Sequence, residues 1–358
     1  MNGTKIFLIQ CPFLTLETYG SGRICLTLLE LSVSLTAKQQ RLRFLSYHIV
    51  MKAVLLFPGQ GAQKVGMGKD FYDAYPAARE MMEAADAALG YSLTKVMFEG
   101  PDEELTRTCN CQPALYLHGL AIYKVLSSLV DIEPVAAAGL SLGEFTAHAA
   151  AGTFSMEDGL KLVQKRGALM EEACQAAPST MAAMIGGSDE AVAKLAAECD
   201  IDVANYNCPG QTVVSGSVEG VDKAVAGARA AGIKIAKKLN VAGAYHSRFM
   251  KSAQTALRPE LEATPMTTPA VPVYCNYEAR PVTGPDDVRA MLGEQVCGSV
   301  RWAACMQDLL AKGARLFIEM GPGTTLAGMM GRICKEAKVI SIQDVASLEA
   351  AVAELKAL

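Results

Sequence analysis

Ser141 stands at the centre of Gly139-Leu140-Ser141-Leu142-Gly143, after the apolar run at 134–138 and before a helix-permissive stretch at 144–151. Strand, Gly-x-Ser-x-Gly and helix make a nucleophile elbow, a sharp turn that pushes a serine hydroxyl into the open. The helix starting beside the serine offers unpaired N–H groups and a positive dipole end. Both suit an oxyanion forming on an attacked carbonyl. The pentapeptide by itself fits a hydrolase as well as an acyl-transferring enzyme.

A serine nucleophile needs a base, and the chain has four histidines. His48 lies in the first fifty residues. His118 falls in an amphipathic helical pattern that explains it by packing. His148 shares a helix face with Ser141 but sits about 10 Å further along the axis. His246, in the loop Gly243-Ala244-Tyr245-His246-Ser247, is left by elimination. Asp158, Asp189 and Asp222 all open helices, so no acid is placed to complete a triad; a backbone carbonyl is the other way to hold an imidazole tautomer.

Arg166 lies one helix after the elbow, between the apolar positions Leu162 and Leu169. An arginine buried there should meet a carboxylate; the alternative is a side chain that snorkels to water. Gly59-Gln60-Gly61 also follows a strand. The dinucleotide fingerprint needs glycine where Lys64 stands, and a Walker loop needs Ser or Thr where Asp70 follows Lys69. With both nucleotide readings excluded, the turn is either structural or aims N–H groups at an anion.

These residues must be carried by a sizeable α/β framework. The chain has 358 residues, half of them apolar, and a net charge of −4 with mixed signs. That balance argues against nucleic-acid binding. No apolar run approaches the ~18 residues of a membrane span. Eleven scattered cysteines fit neither a disulfide framework nor a zinc site, and point to the reducing cytoplasm. Residues 1–50 lack a clean period and read as an extension outside the catalytic fold, with Met51 as the expected start. From there strands and helices alternate. The first part of the large domain spans 51–177 and the second part 243–358. Between them, 178–242 reads βαββαβ, the ferredoxin-like order, as an inserted subdomain. The large domain is expected to be α/β-hydrolase-like, with a parallel-sheet core.

Taken together, Phe57-Pro58-Gly59-Gln60-Gly61-Ala62-Gln63, Gly139-Leu140-Ser141-Leu142-Gly143-Glu144, Gln164-Lys165-Arg166-Gly167, Asn205-Tyr206-Asn207-Cys208-Pro209-Gly210-Gln211, Tyr245-His246-Ser247 and Glu319-Met320-Gly321-Pro322-Gly323 resemble the malonyl-CoA:acyl-carrier-protein transacylases of fatty-acid synthesis. The resemblance implies Ser141 as nucleophile, His246 as base and Arg166 as the group that binds the malonyl carboxylate. It implies an oxyanion hole from the Gln60 and Leu142 amides, and a main-chain carbonyl, placed at Gln295, that orients the histidine. It further implies malonyl-CoA and acyl carrier protein as partners, no cofactor or metal, and a monomer. Because such carriers are acidic, Lys237, Lys238, Arg248 and Lys251 are expected to form a basic rim. The chain departs from the usual pattern at Leu140, where many members have histidine, and at Gly298-Ser299, where Asn-Pro is common.

Overall fold

The computed structural model describes residues 14–19, 23–28 and 51–358. The chain divides into two units, 1–50 and 51–358. In the first, β1 (Leu14–Tyr19) pairs antiparallel with β2 (Arg23–Leu28). His48 and the stretch leading to Met51 lie outside the described residues.

The strands of the second unit are β3 (Met51–Phe57), β4 (Ile132–Gly139), β5 (Ser179–Ile185), β6 (Asp202–Cys208), β7 (Gln211–Ser217), β8 (Ile235–Lys238), β9 (Val273–Tyr274), β10 (Leu316–Met320) and β11 (Lys338–Ile342). They form two sheets. The larger is parallel throughout, in the order β11-β10-β3-β4-β9. The smaller is antiparallel, in the order β6-β7-β5-β8.

The apolar runs explain the parallel sheet. Strand side chains alternate between faces, so a strand covered on both sides must be apolar at every position. In β3, Ala53, Leu55 and Phe57 enter one core, while Val54 and Leu56 enter the other. Burying each of these leucines contributes about 1.5–3 kcal/mol. On the smaller sheet, Ala182, Met184 and Val214 meet Val192, Leu195, Val221 and Ala224 of the helices Asp189–Glu198 and Val218–Gly227. Backbone bonds from Tyr206 N to Val300 O (2.9 Å) and Val300 N to Ala204 O (2.8 Å) tie the smaller sheet to the chain that precedes helix Trp302–Ala311.

Three local features depart from the sequence pattern. Apolar spacing predicts a helix over 113–129, and the helix begins at Thr108 with Pro113 inside it. Pro113 forfeits one intrahelical bond, but the segment is buried on nearly all sides and packing outweighs that loss. The apolar pattern predicts a strand over 271–276, which is only Val273–Tyr274, because Cys275 N bonds to Arg280 O and turns the chain back. Helices Lys251–Ala263 and Pro285–Gln295 were not anticipated. The second of these carries a site residue.

Gly167 decides how the two long helices meet. A Cβ there would lie 2.5 Å from the Thr108 carbonyl oxygen, so only glycine lets helix Met156–Ala176 press its backbone onto helix Thr108–Leu129. That contact brings Arg166 alongside Gln112.

Candidate active site

β4 ends at Gly139 and the next helix, Leu142–Ala150, begins three residues later. Ser141 makes the turn at φ 54° and ψ −103°. His246 also has positive φ, at 55°. A non-glycine residue rarely adopts this conformation unless its surroundings impose it, and such strain gathers at functional sites. At Ser141 the imposing groups are visible. Ser141 N donates to Asn276 Oδ1 (2.7 Å), and Asn276 Nδ2 donates to the Gly139 carbonyl (2.8 Å). Leu140 N donates to Phe57 O (3.0 Å), which joins the elbow to the end of β3. Gly143 is required because a Cβ there would overlap the Phe57 carbonyl.

Ser141 Oγ lies 2.7 Å from His246 Nε2. His246 Nδ1 lies 2.9 Å from the Gln295 main-chain oxygen. A carbonyl can only accept, so Nδ1 carries the proton and Nε2 is left to accept from the serine. Gln295 is the last residue of its helix, where main-chain carbonyls have no intrahelical partner. Burial first, and then the charge of Arg166, push His246 down to about 4. It is therefore neutral at pH 7.

Arg166 is fully enclosed, which excludes snorkelling. Among the described residues it meets no carboxylate directly, contrary to the expectation for an internal partner. Nη1 donates to Gln112 Oε1 (2.7 Å), and Nη2 donates to Gln295 Oε1 (2.8 Å) and to Ser141 Oγ (3.1 Å). Its guanidinium carbon lies 5.1 Å from the centre of the Phe145 ring, a cation–π contact. Burial pulls Arg166 down to about 10, so it stays charged at neutral pH. Gln60 lies in the turn after β3, and Leu142 opens the elbow helix; neither backbone N–H donates to a described group. Tyr245 OH lies 2.7 Å from Thr108 Oγ1.

Ser141, His246, Arg166 and Gln295 thus meet at one point. The other described histidines do not: His118 packs edge-on to Phe71, and buried His148 faces Thr153. Sequence reasoning missed Gln112 and Asn276, which are ordinary polar residues until the fold delivers them. It quoted Glu144 without a role, although a carboxylate in an otherwise apolar helix start was a usable signal. Two of the four residues expected in the basic rim are matched by charge: Lys238 pairs with Asp222 (2.7 Å), and Arg248 pairs with Asp200 (2.7 Å) and Asp202 (2.8 Å). Lys237 and Lys251 are exposed, Lys251 with Nζ donating to Gln254 Oε1 (2.7 Å).

A strained serine, a neutral histidine and a buried cation on an α/β framework define an acyl-transferring site. The chain belongs to the acyl transferase domain family, which matches residues 54–353. It is similar to the malonyl CoA-acyl carrier protein transacylase of Bacillus subtilis strain 168, with 39% identity over 310 residues, 85% of this chain and 98% of the relative. The malonyl CoA-acyl carrier protein transacylase structure from Coxiella burnetii superposes with a TM-score of 0.83 at 32% identity, covering 87% of this chain and 99% of its own. A type II polyketide acyl-carrier protein in complex with its malonyl-transacylase matches with a TM-score of 0.82 at 32% identity, over 85% and 99%. Among the described residues no helix is long and apolar enough to cross a membrane.

Proposed function

We propose that the chain moves a malonyl group from malonyl-CoA to the phosphopantetheine thiol of acyl carrier protein, through a malonyl ester on Ser141. One observation carries this reading: Arg166, a buried cation without a directly bonded carboxylate, has Nη2 3.1 Å from the nucleophile. An acyl group on Ser141 that bears its own carboxylate places an anion directly against the guanidinium.

The geometry supports the following steps. His246 Nε2 takes the Ser141 proton as Oγ attacks the thioester carbonyl. The Gln60 and Leu142 amides, with the helix dipole behind Leu142, receive the oxyanion. The thioester C–S bond breaks, and the coenzyme A sulfur leaves with the proton from His246. In the second half the carrier thiol gives its proton to His246, its sulfur attacks the ester, and Ser141 recovers the proton. The Gln295 carbonyl stabilises the transient imidazolium, the task an aspartate performs in a triad. One thioester replaces another, so the equilibrium lies near unity and no cofactor is called for.

We read the unit 51–358 as an α/β-hydrolase-like domain. Its insert, with edge strand β8 beside β5 and β7 between β5 and β6, is ferredoxin-like. Residues 1–50 stand outside this catalytic unit. A polyketide carrier is the competing acceptor, favoured by the likeness to the polyketide carrier–transacylase complex; relative kcat/KM for the two carriers distinguishes them. The central test is mass spectrometry after mixing with malonyl-CoA. Wild type should carry a malonyl adduct that moves to holo-carrier, and Ser141→Ala should carry none. An adduct on the alanine variant, or hydrolysis outrunning transfer, overturns the proposal.

A further inference from the structure

Glu144 has no part in the steps above, yet it is fully buried beside them. Its Oε2 accepts from Gln295 Nε2 (2.7 Å) and from Asn276 N (2.9 Å). The same Gln295 side chain turns its oxygen to Arg166 Nη2 (2.8 Å), and its Nε2 also reaches the Ser141 carbonyl (2.9 Å). The side chains therefore form a line: guanidinium, amide, carboxylate.

We infer that Glu144 is a positioning residue for substrate selection: it is the counter-charge of Arg166, joined to it through the Gln295 amide, and it locks that amide in the orientation that holds the guanidinium. The inference rests on the reading of Arg166 as the malonyl-carboxylate group. The physical reason lies in donor and acceptor types. An ionised carboxylate can only accept, so the Gln295 NH2 must face Glu144 and its oxygen must face Arg166. A flipped amide would set NH2 against guanidinium and oxygen against carboxylate, costing both bonds at once. A direct Arg–Glu pair would stabilise the cation equally well, but it would occupy the fork that the acyl carboxylate must use. Placing the anion one amide away leaves a second N–H on Nη1, and the Nη2 N–H directed at Ser141 Oγ, for the acyl carboxylate. Burial pushes the Glu144 carboxyl up to about 7, opposed by its hydrogen bonds from Asn276 and Gln295 and by Arg166, so the ionised, accept-only form prevails above that pH.

The alternative is that Glu144 merely braces the elbow, since Asn276 also holds Ser141 N. The two roles separate in specificity. Bracing affects every acyl donor alike, whereas orienting Arg166 affects only donors with a carboxylate. The experiment measures kcat/KM at about pH 8, where Glu144 is ionised, for enzyme acylation by malonyl-CoA and by acetyl-CoA in wild type and Glu144→Gln. The substituted amide keeps size and one acceptor but permits the flip. The malonyl-to-acetyl ratio should fall about 10-fold, the worth of one charge-assisted hydrogen bond. A ratio within about 2-fold of wild type overturns the inference, whether both rates fall together or neither does. Should Glu144→Gln fail to fold, Gln295→Met removes the relay while keeping the main-chain carbonyl for His246. The same fall in ratio is expected, and an unchanged ratio again overturns the inference. A wild-type enzyme with no malonyl preference would instead sink the reading of Arg166 itself.

Discussion

Arg166→Lys tests the centre of the reading, because it retains the charge and discards the geometry. In the native site the guanidinium is anchored on Gln112 Oε1 at 2.7 Å and Gln295 Oε1 at 2.8 Å, with one nitrogen aimed at Ser141 Oγ at 3.1 Å. A planar fork can keep both anchors while offering N–H groups to a carboxylate; an ammonium on a flexible stem cannot. Full burial also penalises a lysine charge more than it penalises arginine. Losing one charge-assisted hydrogen bond to the malonyl carboxylate removes about 1.5–3 kcal/mol. That corresponds to a fall of about 10- to 150-fold in the malonyl-to-acetyl ratio of kcat/KM. The abandoned glutamine oxygen should cost a further ~1–3 kcal/mol of folding stability. The assay is acyl-enzyme formation with each donor, alongside a urea titration of both proteins. Taking the ratio cancels general damage to Ser141 or His246. A variant that keeps the wild-type ratio refutes the assignment, whatever happens to its stability.

Two further outcomes follow from the geometry. The histidine must be neutral to act as base, and burial lowers rather than raises it, so activity is lost as pH falls through about 4 and not through 6.5. With acetyl-CoA, which brings no carboxylate, kcat/KM should stay level from about pH 8 to about pH 5; an inflection near 6.5 would contradict the buried environment. Gly143→Ala should yield little folded protein, because its Cβ meets backbone of β3 and the Pro58 turn that cannot move aside. A soluble variant of wild-type thermal stability would show that the elbow is looser than drawn.

Much of the site was legible one residue at a time. The elbow at Ser141 is a local device: strand, glycine spacing and helix start lie within twenty residues and obey backbone sterics alone. His246 followed from there being few histidines to choose among. The apolar run Ala53 to Phe57 of β3 is the pattern of a strand buried on both faces, because alternation disappears when both sides are covered. Gln112, Asn276 and the role of Glu144 were not legible. Each is an uncharged or single polar residue whose meaning depends on a partner 54 to 151 positions away. The partner of Arg166 shows the difference most clearly. From its neighbours, a buried arginine called for a carboxylate. The fold instead supplied two glutamine oxygens and set the carboxylate one amide beyond them. Local sterics and periodicity are properties of short stretches, so the chain order fixes the elbow, the strands and the chemical identity of the nucleophile. Hydrogen-bond complementarity among buried groups exists only once distant segments are packed, and it is that packing which makes Gln295 the common partner of serine, histidine and arginine.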